Sequence, residues 1–194
     1  MLGDAVIRLG DRFLSRANRR LANAGASPHL MNGLEMLSAL ACGVCFAQHQ
    51  IPGAVILLVV HGCFDYLDGG LRRAAPWQGK RTVLEPFLHT IADKVSDAVL
   101  FFSLAWGGLV PWWLGVTATL ATVSVSLLGW WAHNRRGIAR EACLFDRSDR
   151  LLVLVFLTPL SLFVPAVLAT VFMNAVIFGQ RIHAIIYARS GAES

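Results

Sequence analysis

Acidic side chains gather where two consecutive apolar stretches of this sequence meet. Asp65 and Asp68 stand three residues apart near the end of one stretch, so on a helix they share one face. Near the start of the next stretch, side chains at intervals of four form a polar stripe on one side of a helix: Glu85, His89, Asp93 and Asp97. Ionisable groups inside a bilayer are costly, which makes all of them candidates for function.

Facing carboxylates on two antiparallel helices make a site for a divalent cation. Hard oxygen ligands suit Mg²⁺, Mn²⁺ or Ca²⁺, and a bound cation removes the electrostatic objection to clustering so many acids. Gly69 lets a ligand approach the backbone, and Arg72 and Arg73 can reach phosphate oxygens. The combination predicts a metal-dependent site for a diphosphate substrate. Acids at helix ends that pair with arginine in headgroup water are the competing interpretation, which explains a single acid more easily than the whole set.

The composition is that of a membrane protein. Of the 194 residues, 56% are apolar and 15% are charged, whereas soluble domains carry about 25% charged residues. This excludes a disordered chain and a coiled coil, and it argues against a water-soluble domain. Six Trp and eleven Phe residues fit a bilayer protein with aromatic side chains at the membrane interfaces.

Six apolar stretches predict six transmembrane helices, at about residues 30–48, 53–67, 87–106, 112–132, 151–164 and 166–187. Turn-forming residues separate consecutive stretches at Gln48–Gln50, at Gly107–Pro111 and at Pro165. Ser27 and Pro28 resemble the start of a helix. We therefore predict an all-α integral membrane protein with a single domain, 1–194, in which residues 27–190 form a six-helix transmembrane bundle.

The basic residues set the predicted orientation. All 17 Lys and Arg residues fall on one side of the six-span arrangement, and the three loops on the opposite side have none. Because cytoplasmic loops carry the excess of Lys and Arg, both termini and the acidic site are expected on the cytoplasmic side of a plasma-type (inner) membrane. Residues 1–26 combine apolar positions near helical spacing with arginines on the other face, which predicts an amphipathic helix lying on the membrane lipids.

A second group of arginines precedes the fifth stretch: Arg135, Arg136, Arg140, Arg147 and Arg150. These residues face the same side as the acids, and they can bind an anionic acceptor, such as a phosphorylated alcohol, through bidentate contacts. A role in topology and headgroup binding explains the same residues, and the sequence leaves both interpretations open. No nucleic-acid-binding motif accompanies them, so no nucleic-acid partner is expected.

The segment Asp65-x-x-Asp68-Gly69-x-x-Arg72-Arg73 resembles the signature of the CDP-alcohol phosphotransferase family, D-x-x-D-G-x-x-A-R followed by G-x-x-x-D-x-x-x-D. Arg72 stands where the family has Ala. The six-span plan and the segment Leu144–Arg150 before the fifth stretch are also similar to the family. The resemblance implies a transferase of phospholipid synthesis that moves a substituted phosphate, such as phosphatidyl from CDP-diacylglycerol, to an alcohol and releases CMP. It also implies a homodimer.

The second half of the signature departs from the family pattern. In the alignment that we prefer, Asp93 is the fourth family acid, His89 takes the place of the third acid, and Glu85 takes that of the second Gly. In the other alignment, Asp93 and Asp97 are the third and fourth acids. That alignment keeps four carboxylates, but it lengthens the gap after Arg73 by more and moves the site one helical turn deeper.

The resemblance also implies roles for individual residues. Asp65, Asp68 and Asp93 would bind Mg²⁺ or Mn²⁺, with Asp93 the base that deprotonates the alcohol. Gly69 and the arginines that follow it would meet the CDP moiety. Which acid, Asp93 or Asp97, is the last one of the motif stays open.

His89 is the main departure, and three roles remain open for it. A neutral imidazole can ligate a metal softer than Mg²⁺, or it can act as a base near neutral pH. Alternatively, the replacement of the third family acid by His89 has cost the protein its activity, unless Glu85 supplies a compensating carboxylate from one turn away. The hypotheses are therefore an active transferase, a catalytically degenerate relative that binds a nucleotide-linked lipid, and a small transporter. His61, one turn before Asp65, is expected either beside the metal or in an ordinary hydrogen bond between helices.

Overall fold

Each of the six apolar stretches forms a helix. The structure, a computed structural model, describes residues 16–73, 84–136, 143–145 and 147–190. Within them, residues 16–23 are helical and are called α1. The other helices are α2 (Pro28–Ala47), α3 (Ile51–Arg73), α4 (Leu84–Trp106), α5 (Trp112–Arg136), α6 (Arg147–Leu157) and α7 (Phe163–Ser190). The described residues form helices and turns and no strand, which confirms the all-α class.

The start of α2 follows the sequence signal. The hydroxyl of Ser27 accepts a hydrogen bond from the backbone N–H of His29 over 3.2 Å, and Pro28 occupies the first turn. A proline fits there because the first N–H groups of a helix have no partner within the helix. The prediction of a helix start at Ser27 and Pro28 is confirmed.

The predicted break at Pro165 is wrong in position. Helix α6 ends at Leu157, a 3₁₀ turn follows at Thr158–Leu160, and Ser161 adopts a left-handed φ of 56°. Pro165 instead lies in the first turn of α7, where a proline is tolerated. The proline at the break between α6 and α7 is Pro159, which lies within the 3₁₀ turn.

Four of the described helices, α2, α3, α5 and α7, are long and apolar enough to cross a bilayer. Helix α4 has 23 residues but carries several charges, and α6 has 11 residues, a length of about 16 Å. Large apolar side chains face outward, and those of Leu37, Ile56 and Phe156 are each more than half exposed. Such a surface suits lipid, so the chain is an integral membrane protein, while the six spans stay a prediction.

Apolar side chains from all six long helices form one core. Its largest buried members include Phe46, Leu58, Phe101 and Leu104. The rings of Phe46 and Phe163 meet edge to face with centroids 6.3 Å apart, which ties the end of α2 to the start of α7. This packing fixes the ends of α3 and α4 that carry the acids relative to α2.

An aromatic group marks one end of the bundle. Phe102, Trp106 and Trp112 lie around the turn between α4 and α5, with ring centroids 5.1 to 6.2 Å apart. Trp106 and Trp112 are each at least half exposed. Exposed tryptophans are typical of side chains at a membrane interface.

Part of the predicted amphipathic helix, residues 1–15, lies outside the described residues. Residues 16–23 are helical, and Asn18 of this helix packs against Gly70 of α3, where a Cβ would overlap the Asn18 side chain. The missing side chain of Gly70 therefore admits α1. The placement of the helix on the membrane surface stays a prediction.

Candidate active site

Three carboxylates from three helices converge inside the bundle. Glu35 of α2, Asp65 of α3 and Asp93 of α4 each place one oxygen within 4.8 Å of the other two. Helix α2 packs against both α3 and α4, and Glu35 is only 1% exposed. The expected meeting of acids from consecutive helices is present, with an additional acid from α2.

The guanidinium of Arg147, the first residue of α6, lies among these acids. Its Nη2 is 2.6 Å from Glu35 Oε1, and its Nη1 is 2.8 Å from Asp65 Oδ1. The same Nη1 is 3.0 Å from Asp93 Oδ1, and Nε is 3.1 Å from Asp97 Oδ1. The guanidinium therefore lies within ion-pair distance of four carboxylates from three helices.

Asp97 differs from the other acids because several cations hold it. Besides Arg147, its carboxylate contacts Arg150 Nη2 at 3.5 Å and Lys94 Nζ at 3.9 Å. Asp97 is 3% exposed and lies outside the group of three converging carboxylates. Its surroundings are those of an ion pair that joins α4 to α6.

Arg150 continues this polar contact into the bundle. Its Nη1 donates to Asn174 Oδ1 of α7 over 3.0 Å, and Asn174 Nδ2 donates to Thr122 Oγ1 of α5 over 2.9 Å. All three side chains are buried. The chain of hydrogen bonds links α6, α7 and α5, so Arg150 positions helices, although the sequence suggested a contact with an acceptor.

Asp68 lies one turn beyond Asp65 on α3. It is fully buried, and its Oδ2 accepts a hydrogen bond from Arg72 Nε over 2.8 Å. Asp68 does not belong to the group of three converging carboxylates. Arg72, which we expected at phosphate oxygens, contacts this acid, and Gly69 lies between the two in the same helix.

Several predicted site residues cannot be placed. The side chains of Arg73, Glu85, His89, Arg135 and Arg136, and the whole of Arg140, lie outside the described residues. The backbone of α4 is continuous from Leu84 to Trp106. The polar stripe predicted for α4 therefore falls on one helix, with Glu85 and His89 two turns and one turn before Asp93.

Glu35 is the site residue that our sequence interpretation missed. It is an acid inside an apolar stretch, so the rule that drew attention to Asp65 applies equally to it. His61 of α3 lies beside it: the carbonyl oxygen of Glu35 accepts a hydrogen bond from His61 Nδ1 over 3.0 Å, and His61 Nε2 is 4.0 Å from Glu35 Oε1. The expected hydrogen bond of His61 between helices is thus present, and it lies at the site.

The converging acids suit a divalent cation. Two oxygens bound on opposite sides of a Mg²⁺ ion, each at about 2.1 Å, are about 4.2 Å apart, and all three carboxylate oxygens lie within 4.8 Å of one another. Carboxylates are the hard ligands that Mg²⁺ and Mn²⁺ prefer. Among the described residues, Glu35 Oε2 is buried without a hydrogen-bond partner, so a further ligand can be accommodated.

Fold and site together define a membrane protein with a carboxylate centre suited to a divalent cation. The sequence pattern of the CDP-alcohol phosphatidyltransferase family matches residues 26–185. The chain therefore belongs to the CDP-alcohol phosphatidyltransferase family, and it is a metal-dependent membrane transferase of phospholipid synthesis. The resemblance carried by Asp65, Asp68 and Gly69 is confirmed.

Individual relatives support the assignment. The archaetidylinositol phosphate synthase of Pyrococcus horikoshii is 29% identical over 176 residues, which cover 88% of this chain and 89% of the relative. The crystal structure of Mycobacterium tuberculosis phosphatidylinositol phosphate synthase with CDP-DAG bound has a TM-score of 0.71 at 18% identity, covering 90% of this chain and 94% of that one. The same enzyme in complex with manganese and citrate has a TM-score of 0.69, also at 18% identity, covering 88% and 87%.

Proposed function

We propose that this protein transfers a phosphatidyl-type group from a CDP-linked lipid to the hydroxyl of a phosphorylated alcohol and releases CMP. The observation that carries the proposal is that Asp65 of α3 and Asp93 of α4 share Arg147 Nη1, at 2.8 and 3.0 Å. Cation-binding groups and a phosphate-binding group thus meet at one point. The names of relatives that make inositol phosphate lipids support a phosphorylated polyol, such as an inositol phosphate, as the acceptor.

In the proposed reaction, the acceptor hydroxyl oxygen forms a bond to the phosphorus that carries the lipid. The bond from that phosphorus to the oxygen of the CMP phosphate breaks, and CMP leaves with the electron pair. Asp93 accepts the proton of the hydroxyl as general base. A bound divalent cation would neutralise the diphosphate and the charge that develops on the leaving group.

Asp65, Asp68 and Asp93 are the proposed ligands from the family signature, and His89 and Glu85 remain candidates beside them. Asp97 contacts Arg147, Arg150 and Lys94, so it already has a role as an ion-pair partner. This supports the alignment in which Asp93 is the last acid of the motif. Whether Mg²⁺ or Mn²⁺ binds is part of the proposal to be tested.

The arginines divide into two proposed groups. Gly69, Arg72 and Arg73 lie at the end of α3 and would meet the CDP moiety. Arg147, with Arg135, Arg136 and Arg140, would meet the phosphate of the acceptor, while Arg150 positions Asp97. Arg147 contacts the oxygens proposed for the cation, so the two would compete for them. With a cation on these oxygens, the guanidinium would be available to the phosphate of the acceptor.

An apolar groove supports a lipid as the donor. A cavity of about 350 Å³ lies between α4 and α5, lined by Ile91, Val95, Val123, Leu127 and Trp130 among others. Lys94, whose ammonium group contacts Asp97, also lines it. An acyl chain in this groove would therefore lie next to the proposed phosphate site.

The orientation and assembly are also proposals. We propose that both termini and the site face the cytoplasm, because every Lys and Arg falls on that side of a six-span arrangement. We also propose a homodimer, which rests on the family alone.

The test is a measurement of CMP release. Purified protein is supplied with CDP-diacylglycerol, Mg²⁺ or Mn²⁺, and alcohols with and without a phosphate group. We expect release with a phosphorylated polyol, and a loss of at least about 100-fold in Asp65→Asn, with little change in Ser103→Ala, a buried hydroxyl elsewhere on α4. Retained CDP binding without CMP release for any alcohol would favour the degenerate relative that His89 makes conceivable.

A further inference from the structure

Glu35 has a position that a purely structural acid would not require. It is 1% exposed within an apolar helix, and its Oε1 is 2.6 Å from Arg147 Nη2. Among the described residues its other oxygen, Oε2, is buried and accepts no hydrogen bond. Buried carboxylates are normally satisfied at both oxygens because desolvation of a charge is costly. Glu35 thus keeps one oxygen available for a partner beyond Arg147.

His61 gives an independent indication of what that partner is. Its Nδ1 hydrogen bond goes to the carbonyl oxygen of Glu35, which only accepts. Nδ1 therefore carries the proton, and in the neutral imidazole Nε2 carries the lone pair. This Nε2 is fully buried, lies 4.0 Å from Glu35 Oε1, and has no hydrogen-bond partner among the described residues. A lone pair facing a carboxylate favours an electron-poor ligand between or beside them.

The position of Glu35 also suits the departure at residue 89. The family signature has four acids, and in the preferred alignment His89 replaces one of them. Glu35 Oε1 or Oε2 lies within 4.8 Å of one oxygen each of Asp65 and Asp93. Helix α2 therefore brings a further carboxylate to Asp65 and Asp93, at a site where the family signature has four acids.

We propose that Glu35 is a ligand of the divalent-cation site and supplies the carboxylate that position 89 lacks, with His61 as the residue that positions it. The inference rests on the proposed function, because it takes Asp65 and Asp93 to hold the same cation. The opposing interpretation is that Glu35 serves only as an ion-pair partner of Arg147.

The experiment measures Mn²⁺ binding to the full chain in detergent, from the electron paramagnetic resonance signal of free Mn²⁺, without substrate. We expect Mn²⁺ affinity to fall at least about tenfold in Glu35→Gln and in Asp65→Asn, and to stay unchanged in Ser103→Ala. Loss of affinity in Asp65→Asn alone would overturn the role of Glu35 and leave the proposed function standing. Unchanged affinity in both variants would overturn the cation site itself and the inference with it.

A change of metal preference separates a ligand from a structural residue. In Glu35→Cys, a thiolate in place of the carboxylate should favour the softer Cd²⁺ over Mn²⁺ and produce ultraviolet thiolate-to-cadmium absorption. Wild-type protein and Ser103→Cys give the background from the four native cysteines. This test also decides the question if Glu35→Gln fails to fold, since absorption at the background level in folded Glu35→Cys would refute the ligand role.

Discussion

Arg147 Nη1 donates a hydrogen bond to Asp65 Oδ1 over 2.8 Å and thereby joins residues 82 positions apart in the chain. The contact brings the first turn of α6 against α3. It means that the arginine expected to bind an anionic acceptor and the acids expected to bind a cation belong to one site. Their charges depend on one another, and the first prediction uses that dependence.

Replacing Arg147 with Gln should have opposite effects on the two ligands. The acids lose a competing cation, so Mn²⁺ affinity should rise by about tenfold, whereas the KM for a phosphorylated acceptor should increase. Mn²⁺ binding in detergent and steady-state CMP release measure the two effects. Arg181→Gln is the matched control, because Arg181 contacts the carbonyl oxygen of Val125, away from the acids. A fall in Mn²⁺ affinity in Arg147→Gln would contradict competition.

Replacing His89 with Asp should shift the metal preference. A carboxylate is a harder ligand than an imidazole, so the ratio of activity with Mg²⁺ to activity with Mn²⁺ should rise. When it is combined with Glu35→Gln, His89→Asp should also restore part of the Mn²⁺ affinity that Glu35→Gln loses, because it returns an acid to the site. An unchanged ratio, together with a loss of activity under both ions, would instead assign His89 a chemical role of its own.

Replacing Asn174 with Leu should destabilise the bundle. The substitution removes one hydrogen bond from the buried Arg150 guanidinium and one from the Thr122 hydroxyl, because both groups bond to the Asn174 amide. An unpaired buried polar group costs about 1–3 kcal/mol, so the midpoint of thermal unfolding in detergent should fall. Thr170→Val on the same helix is the control, because the Thr170 hydroxyl bonds within α7 to the Ala166 carbonyl. Equal midpoints for the two variants would show that the chain of hydrogen bonds contributes little.

Gly70 and Asn18 should behave as a coupled pair. A Cβ at Gly70 would overlap the terminal amide of Asn18, which must turn away, so Gly70→Ala alone should be less stable, by about 1 kcal/mol, than a variant in which this overlap is also removed. Adding Asn18→Ala removes the overlap and leaves the better helix propensity of Ala in α3. Thermal unfolding of the double variant should therefore occur at or above the wild-type midpoint. A double variant no more stable than Gly70→Ala would place the strain elsewhere.

The helices were predictable because apolar length and turn residues determine them locally. The capping of α2 at Ser27 and the turn before Pro111 follow directly from residue type. The position of Pro165 was misjudged because a proline in the sequence can mark either the end of one helix or the first turn of the next. In the structure the break lies earlier, at the 3₁₀ turn that contains Pro159 and at Ser161 with its left-handed φ.

The site was predictable in part. Spacing along one helix places Asp93 and Asp97 on one face, yet it does not show that Asp97 meets Arg150 while Asp93 meets Asp65. The first contact depends on how α6 packs against α4 and the second on how α3 packs against α4, which no local pattern contains. Glu35 escaped notice because it stands alone in its helix, and a single acid gains meaning only when the fold brings it to others.

The aromatic group at the turn between α4 and α5 indicates how deep in the bilayer the converging carboxylates lie. Trp106 follows Asp93 by 13 residues on α4, a rise of about 20 Å, and a hydrocarbon core is about 30 Å thick. With the tryptophans at one boundary of the bilayer, the acids stand about 10 Å short of the other. The phosphorylated acceptor that we propose would therefore have to descend into a hydrated vestibule, and the proposed lipid donor would have to lower its headgroup below the level of its neighbours.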